Sequence, residues 1–298
     1  MTTVFELFIA GKSKEYARQA ARAAFDELDR VERLFSRFDP TSEISRASRL
    51  RPGEKMMVGV ETVECLATAA RVQAETAGAF DINYRAGAGR ARRGGKTRRG
   101  PDVGPPPPNL LNLMSMRMVA GGFEVERLPG RARKKTLPLD LDLGAFGKGY
   151  ALDRVREILA DWSVGNALVH SGTSTALGLG PGPRCPERGW PVGTASAWEC
   201  PGMPKEVRLV DRALSGSGTE VKGAHIIDPR TGRPARGHLA AWASHLSAAV
   251  SDALSTAFLV MRTEEVGRYC RTRPEVWALV ILPGKKCKIF NANAIAQP

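Results

Sequence analysis

The chain has 298 residues, 43% of them hydrophobic and 25% charged, enough to bury a sizeable core in one large or two ordinary domains. Its 44 Lys and Arg against 31 Asp and Glu leave a formal charge of +13, which points toward an anionic partner: nucleic acid, a membrane surface or an anionic ligand. No apolar run is long enough to span a bilayer, and the 5 cysteines show neither CxxC nor metal-ligand spacing, so they read as free thiols of a reducing compartment.

The opening "VFELFIAG" alternates as a strand does. It has no basic n-region and no small-residue cleavage site, which predicts a cytoplasmic address. "SKEYARQAARAAFDELDRVERLFS" has helical period with Ser13 as N-cap, and "SRFDPTSEISRAS" reads as a loop. A second helix, "VETVECLATAARVQAETAG", closes on Gly78, with "AFDINY" behind it. From Arg85 to about Pro108 the chain becomes Arg/Gly-rich and then "GPPPP", with almost nothing to bury. Such a segment cannot offset its ordering entropy, which predicts a mobile basic and Pro-rich loop over 85–108. No aromatics interleave with its arginines, and that weighs against nucleic acid as the partner.

Strand character returns in "LLNLMSMRMVAGGFEVERL". "TLPLDLDLGAFGKGYALDRVREILADW" reads as strand, Gly-rich turn and helix, and "NALVHSGTSTALGLG" as buried strand and turn. "VRLVDRALSGSG" and "GAHIIDPRTGRPA" add strands and a Pro/Gly turn; "EVWALVILPGKKCKIF" is a final strand pair. Helices and strands intermix without strict βα alternation, which predicts an α+β fold of mixed antiparallel sheets with packed helices, in a single domain over 1–298.

Two places bear chemistry. In "DLGAFGKGYALDRV" the glycines at 144, 147 and 149, a helix start and Lys148 form either a phosphate cradle or simply a tight turn; neither Walker A nor GxGxxG spacing is present. In "SDALSTAFLVM" the residues Val250, Ala253, Leu254, Ala257, Phe258 and Met261 form an apolar face, while Asp252 and Thr256 share the other side. Periodicity alone makes that pair a solvated polar face. His225, opening "HIIDPRTGRP", is a general base, a ring-stacking group or a structural histidine.

Taken in order, "SRFDPTSEIS", "TAGAFDI", "DLGAFGKGYALD", "ALVHSG", "SGSG", "HIIDPRTGRPA" and "SDALSTA" resemble the ApbE-type FAD:protein FMN transferases, from Met1 to about residue 284. The resemblance implies a T-fold-like architecture and an enzyme that uses Mg²⁺ to cleave FAD. FMN passes to a Thr or Ser hydroxyl of an acceptor protein, and AMP is released. It further implies that Asp252, Thr256 and the carbonyl of Ala145 hold the metal, reversing the reading of the polar stripe. Phe38 stands where an aromatic packs on the flavin; Ala79, Phe80 and Asp81 line the cofactor; Asp142 and Lys148 contact FAD; Gly223 and His225 flank its adenine or pyrophosphate end, with His225 nominated as base. The sequence departs from the family pattern at Ser48, at Gly172 to Ser174, at Gly216 to Gly218 and in "NYRAGAGRARRGG", so the flavin-ring end differs most. Two other readings stand beside transfer: an FAD pyrophosphatase giving FMN and AMP, and a catalytically silent FAD-binding paralogue.

Overall fold

The structure, a computed structural model, describes residues 3–86, 109–129, 138–183, 189–194, 200–219, 226–284 and 286–295. Most of the basic and Pro-rich segment, 87–108, lies outside the described residues, as do Gly223 and His225. The chain forms two compact units: the first takes Met1–Glu32, Phe146–Gly223 and Arg236–Pro298, the second Arg33–Ala145 and Ala224–Ala235.

The first unit is built on a 7-stranded sheet. Its strands are β1 (Phe5–Ile9), β5 (Ala167–Ser171), β6 (Thr175–Leu179), β9 (Arg212–Gly218), β12 (Ala240–His245), β13 (Trp277–Leu282) and β14 (Lys286–Phe290), in that spatial order. Every neighbouring pair is antiparallel. A separate hairpin pairs β7 (Trp190–Gly193) with β8 (Glu206–Leu209). The expected α+β class and antiparallel pairing are both present.

Period-two alternation gives the central strands two different faces. On one face Leu214, Trp242, Trp277, Leu279 and Ile281 form a buried cluster with Val207 and Leu209. On the other, Ala213, Ser215 and Ser217 of β9 stand beside Ala241 and Ala243 of β12. These small side chains leave room for helix α5 (Ala248–Val260), which packs on both strands. Ser251 Oγ donates to the Ala243 carbonyl at 2.8 Å across that contact. Helix α4 (Gly147–Asp161) lies against α5, and α6 (Thr263–Arg271) packs on β13. Helix α1 (Lys14–Phe35) is N-capped as its sequence predicts, with the Tyr16 N–H donating to Ser13 Oγ at 3.3 Å.

The second unit holds a 3-stranded sheet of order β2 (Lys55–Val58), β4 (Gly122–Arg127) and β3 (Met114–Val119). Helices α2 (Glu43–Arg49) and α3 (Val60–Glu75) and the short pair β10 (Ile227–Asp228) and β11 (Arg233–Pro234) complete it. Two expectations fail here. The stretch read as a loop contains α2, because Ser42 accepts the Ser45 N–H at 3.1 Å as an N-cap while Ile44 and Ala47 are buried. "PLDLDL" keeps its alternation, with Leu139, Leu141 and Leu143 buried, yet residues 138–143 form no strand. Their N–H groups go elsewhere: Asp140 to Asn83 Oδ1 at 2.8 Å, Leu141 to Ser48 Oγ at 3.1 Å and Asp142 to the Ile82 carbonyl at 2.7 Å. Among the described residues, no helix is long and apolar enough to cross a membrane.

Candidate functional site

In the first unit the chemistry gathers where α4 begins beside α5. A polar stripe on a solvated face would be exposed, but Asp252 is only 2% exposed and Thr256 is half-buried. Burying a carboxylate is costly unless it is paired or hydrogen-bonded. Asp252 Oδ2 accepts the Gly149 N–H at 3.2 Å, one of the free amides at the start of α4, and Lys148 Nζ lies 3.5 Å from the same oxygen. The Gly-rich turn thus delivers both an amide and an ammonium to this carboxylate.

One turn along α5, the Thr256 hydroxyl lies 3.1 Å from Ser217 Oγ, which is itself 2.8 Å from Ser255 Oγ. Asp252 and Thr256 therefore present a carboxylate and a hydroxyl on one flank of the helix, steadied by a serine from β9. Among the described residues no group of three or more His, Cys, Asp or Glu side chains comes together, so a cation here needs mixed oxygen donors. Hard oxygens of this kind suit Mg²⁺, which keeps waters and takes few protein ligands. The Lys148 ammonium partly neutralises this carboxylate, so a cation bound here has to displace it.

In the second unit a different cluster surrounds Asp142. Its Oδ1 accepts the Gly144 N–H at 2.9 Å, and its Oδ2 accepts from the Tyr84 hydroxyl at 3.2 Å. Arg37 Nε lies 3.5 Å from Oδ2, and the Arg37 guanidinium also sits 4.3 Å from the centre of the Phe38 ring. That ring is 80% exposed, an apolar plate open to a stacking partner. Arg85 reaches Asp140 Oδ2 at 3.1 Å and lies 4.0 Å from Asp142 Oδ2. Ala79, Phe80 and Asp81 are all buried. Burial raises the Asp81 carboxyl to about 6, against the opposing pull of the Asn83 N–H it accepts.

A family model described as the ApbE family matches residues 1–280. The chain belongs to the ApbE family. A protein named FAD:protein FMN transferase from Vibrio cholerae serotype O1 is 27% identical over 252 residues, covering 80% of this chain and 72% of its own. A namesake from Treponema pallidum is 31% identical over 165 residues, 50% of this chain and 46% of its own. Among solved structures, the flavin transferase ApbE from Vibrio cholerae superposes with a TM-score of 0.71 at 21% identity, covering 99% of this chain and 95% of that one. The ApbE protein from Thermotoga maritima gives 0.72 at 23% identity, with 96% and 93% covered. These likenesses establish that the chain has the ApbE fold.

Within this ApbE-family chain, the residues expected at the site divide by unit. Lys148, Asp252 and Thr256 lie in the first, with Lys148 at the carboxylate of Asp252. Phe38, Ala79, Phe80, Asp81, Asp142 and Ala145 lie in the second. Sequence reasoning does not find Tyr84, Arg85 or Ser217 as site residues. Arg85 reads as the first residue of a basic run, and Ser217 lies in the strand-like "VRLVDRALSGSG", which reveals no partner until β9 and α5 are set side by side.

Proposed function

We propose that this protein is a Mg²⁺-dependent transferase moving FMN from FAD to a Thr or Ser hydroxyl of an acceptor protein. The observation that carries the proposal is the buried Asp252 carboxylate, met by the Gly149 amide and the Lys148 ammonium, with the Thr256 hydroxyl one turn on. The relatives' shared name supports flavin transfer as the reaction.

Asp252 and Thr256 would hold the cation, with the Ala145 carbonyl as the further donor the resemblance implies. Bound there, Mg²⁺ supplies Lewis-acid stabilisation of charge on the pyrophosphate oxygens. Lys148 adds a second positive charge for the same oxygens once it is drawn from Asp252. Phe38 offers its open face to the flavin, Ala79, Phe80 and Asp81 line the cofactor, and Asp142 fixes Arg37 and Tyr84. In the reaction the acceptor hydroxyl oxygen bonds to the FMN-side phosphorus, the bond from that phosphorus to the bridging oxygen breaks, and AMP departs with the bridging oxygen. The hydroxyl proton goes to a base, for which His225 is the nominee; Gly223 belongs to the same nucleotide-flanking stretch. The lack of CxxC or metal-ligand spacing among the cysteines supports a reducing, cytoplasmic setting.

The test is incubation with FAD, Mg²⁺ and candidate acceptors, followed by mass spectrometry. The expected product is an acceptor peptide carrying one FMN on Thr or Ser, and Asp252→Ala is expected to abolish it. If Asp252→Ala labels the acceptor at the wild-type rate, the metal assignment is wrong. Rapid release of FMN and AMP without any protein acceptor would make the enzyme a pyrophosphatase instead.

A further inference from the structure

Helix α4 does more than bring Lys148 and Gly149 to Asp252. One turn further along, Asp153 reaches the start of α5. Its Oδ2 accepts the Ser247 hydroxyl at 2.6 Å and the Ala249 N–H at 2.9 Å, and its Oδ1 accepts the Ala248 N–H at 2.8 Å. Ser247 Oγ in turn accepts the Val250 N–H at 3.3 Å, so the unpaired amides of the first turn are taken by a pair of side chains, one of them from another helix. A carboxylate at this end also meets the positive pole of α5.

Residues 149, 153 and 156 share one face of α4 at spacings of four and three. All meet the same junction. Arg156 Nη2 donates to the Leu246 carbonyl at 2.6 Å, just ahead of α5. A Cβ on Gly149 would stand 2.1 Å from the Ala248 carbonyl oxygen, so the two helices touch backbone to backbone there. The consequence reaches the carboxylate: Asp252 lies one turn beyond Ala248, and the Gly149 N–H that meets it belongs to the same α4 face.

We infer that Asp153 is a positioning residue that sets the cation affinity of Asp252 and Thr256 by locking the start of α5 to α4. This rests on the metal reading proposed above. An ordinary helix cap stabilises its helix; this one also fixes where the ligand carboxylate stands relative to the Gly149 amide and the Lys148 ammonium. Groups that orient metal ligands typically contribute about 10- to 100-fold in affinity.

The experiment is Mn²⁺ binding to the full chain, followed by electron paramagnetic resonance, with thermal melts alongside. Asp153→Asn keeps the shape and loses the charge; it is expected to weaken Mn²⁺ binding by about 10- to 100-fold. The double variant Asp153→Asn with Ser247→Asp returns a carboxylate to the cap from α5 itself. It should recover melting temperature and leave Mn²⁺ affinity weak, because the charged tie from α4 is still absent. Full recovery of affinity with stability would reduce Asp153 to a helix cap and overturn the inference. So would wild-type Mn²⁺ affinity in Asp153→Asn while Asp252→Ala loses it, an outcome that leaves the metal reading standing. Absence of Mn²⁺ binding in the wild type overturns both.

Discussion

Burial of Asp81 has a measurable cost. Its carboxyl is raised from 3.8 to about 6 by desolvation, so between those values the native state holds a proton that the unfolded chain has given up. Stability from this group therefore falls as pH rises from about 4 through 6, by about 2–3 kcal/mol in all, because a proton held across one pH unit is worth about 1.4 kcal/mol. Asp81→Asn cannot ionise and keeps an acceptor for the Asn83 N–H. It should be more stable than wild type above pH 6 by about 2 kcal/mol, the difference vanishing below about pH 4. Urea melts across this range test it; a constant difference at every pH would remove ionisation as the cause. At this scale the sequence is partly legible. "SDALSTA" shows a polar break in an apolar helix, but the burial of Asp252 depends on the small side chains of β9 and β12, which are distant in the chain.

Close packing of α4 against α5 sets an expectation for whole elements. Gly149→Ala must push the Ala248 carbonyl away, so it should cost about 1–3 kcal/mol or more and weaken Mn²⁺ binding together with stability. Unchanged affinity in a folded Gly149→Ala protein would mean that the contact does not set the site. The end of α3 makes the opposite prediction. Gly78 N–H donates to the Gln73 carbonyl at 2.8 Å and Ala77 N–H to the Ala74 carbonyl at 3.2 Å, closing the helix with Ala77 at φ 50. Ala77 and the expected Gly78, at φ 77, are thus both left-handed, and only the alanine carries a Cβ there. Ala77→Gly should raise stability by about 0.5–1 kcal/mol, read as a shift in the denaturation midpoint. Long helices and alternating strands are legible because their periods repeat. The short α2 offers too few turns for a period to show, and at 138–143 alternation reports burial correctly but cannot report which partners take the N–H groups.

Neither compact unit is a continuous piece of sequence, which is why composition does not reveal the division. The first draws on three stretches of chain and the second on two. Thiol reactivity offers a test of the whole arrangement. Cys65 and Cys270 are buried, with Cys270 pushed up to about 12 by desolvation, whereas Cys200 and Cys287 are partly open. Alkylation mapped by mass spectrometry should label Cys287 first in the native protein, Cys200 more slowly because burial and the neighbouring Cys287 thiol push it up to about 11, and Cys65 and Cys270 only on unfolding. Early labelling of Cys65 would contradict the packing of α3. Strand β1 pairs with β5, whose first residue follows the last of β1 only after the long excursion from Ala10 to Asn166. Synthesis in chain order therefore releases β1 well before its partner β5 exists, while Arg33–Ala145 emerges in one run. Nascent β1 must wait unpaired until β5 is made, and any truncation that removes β13 and β14 strips the opposite edge from the same sheet.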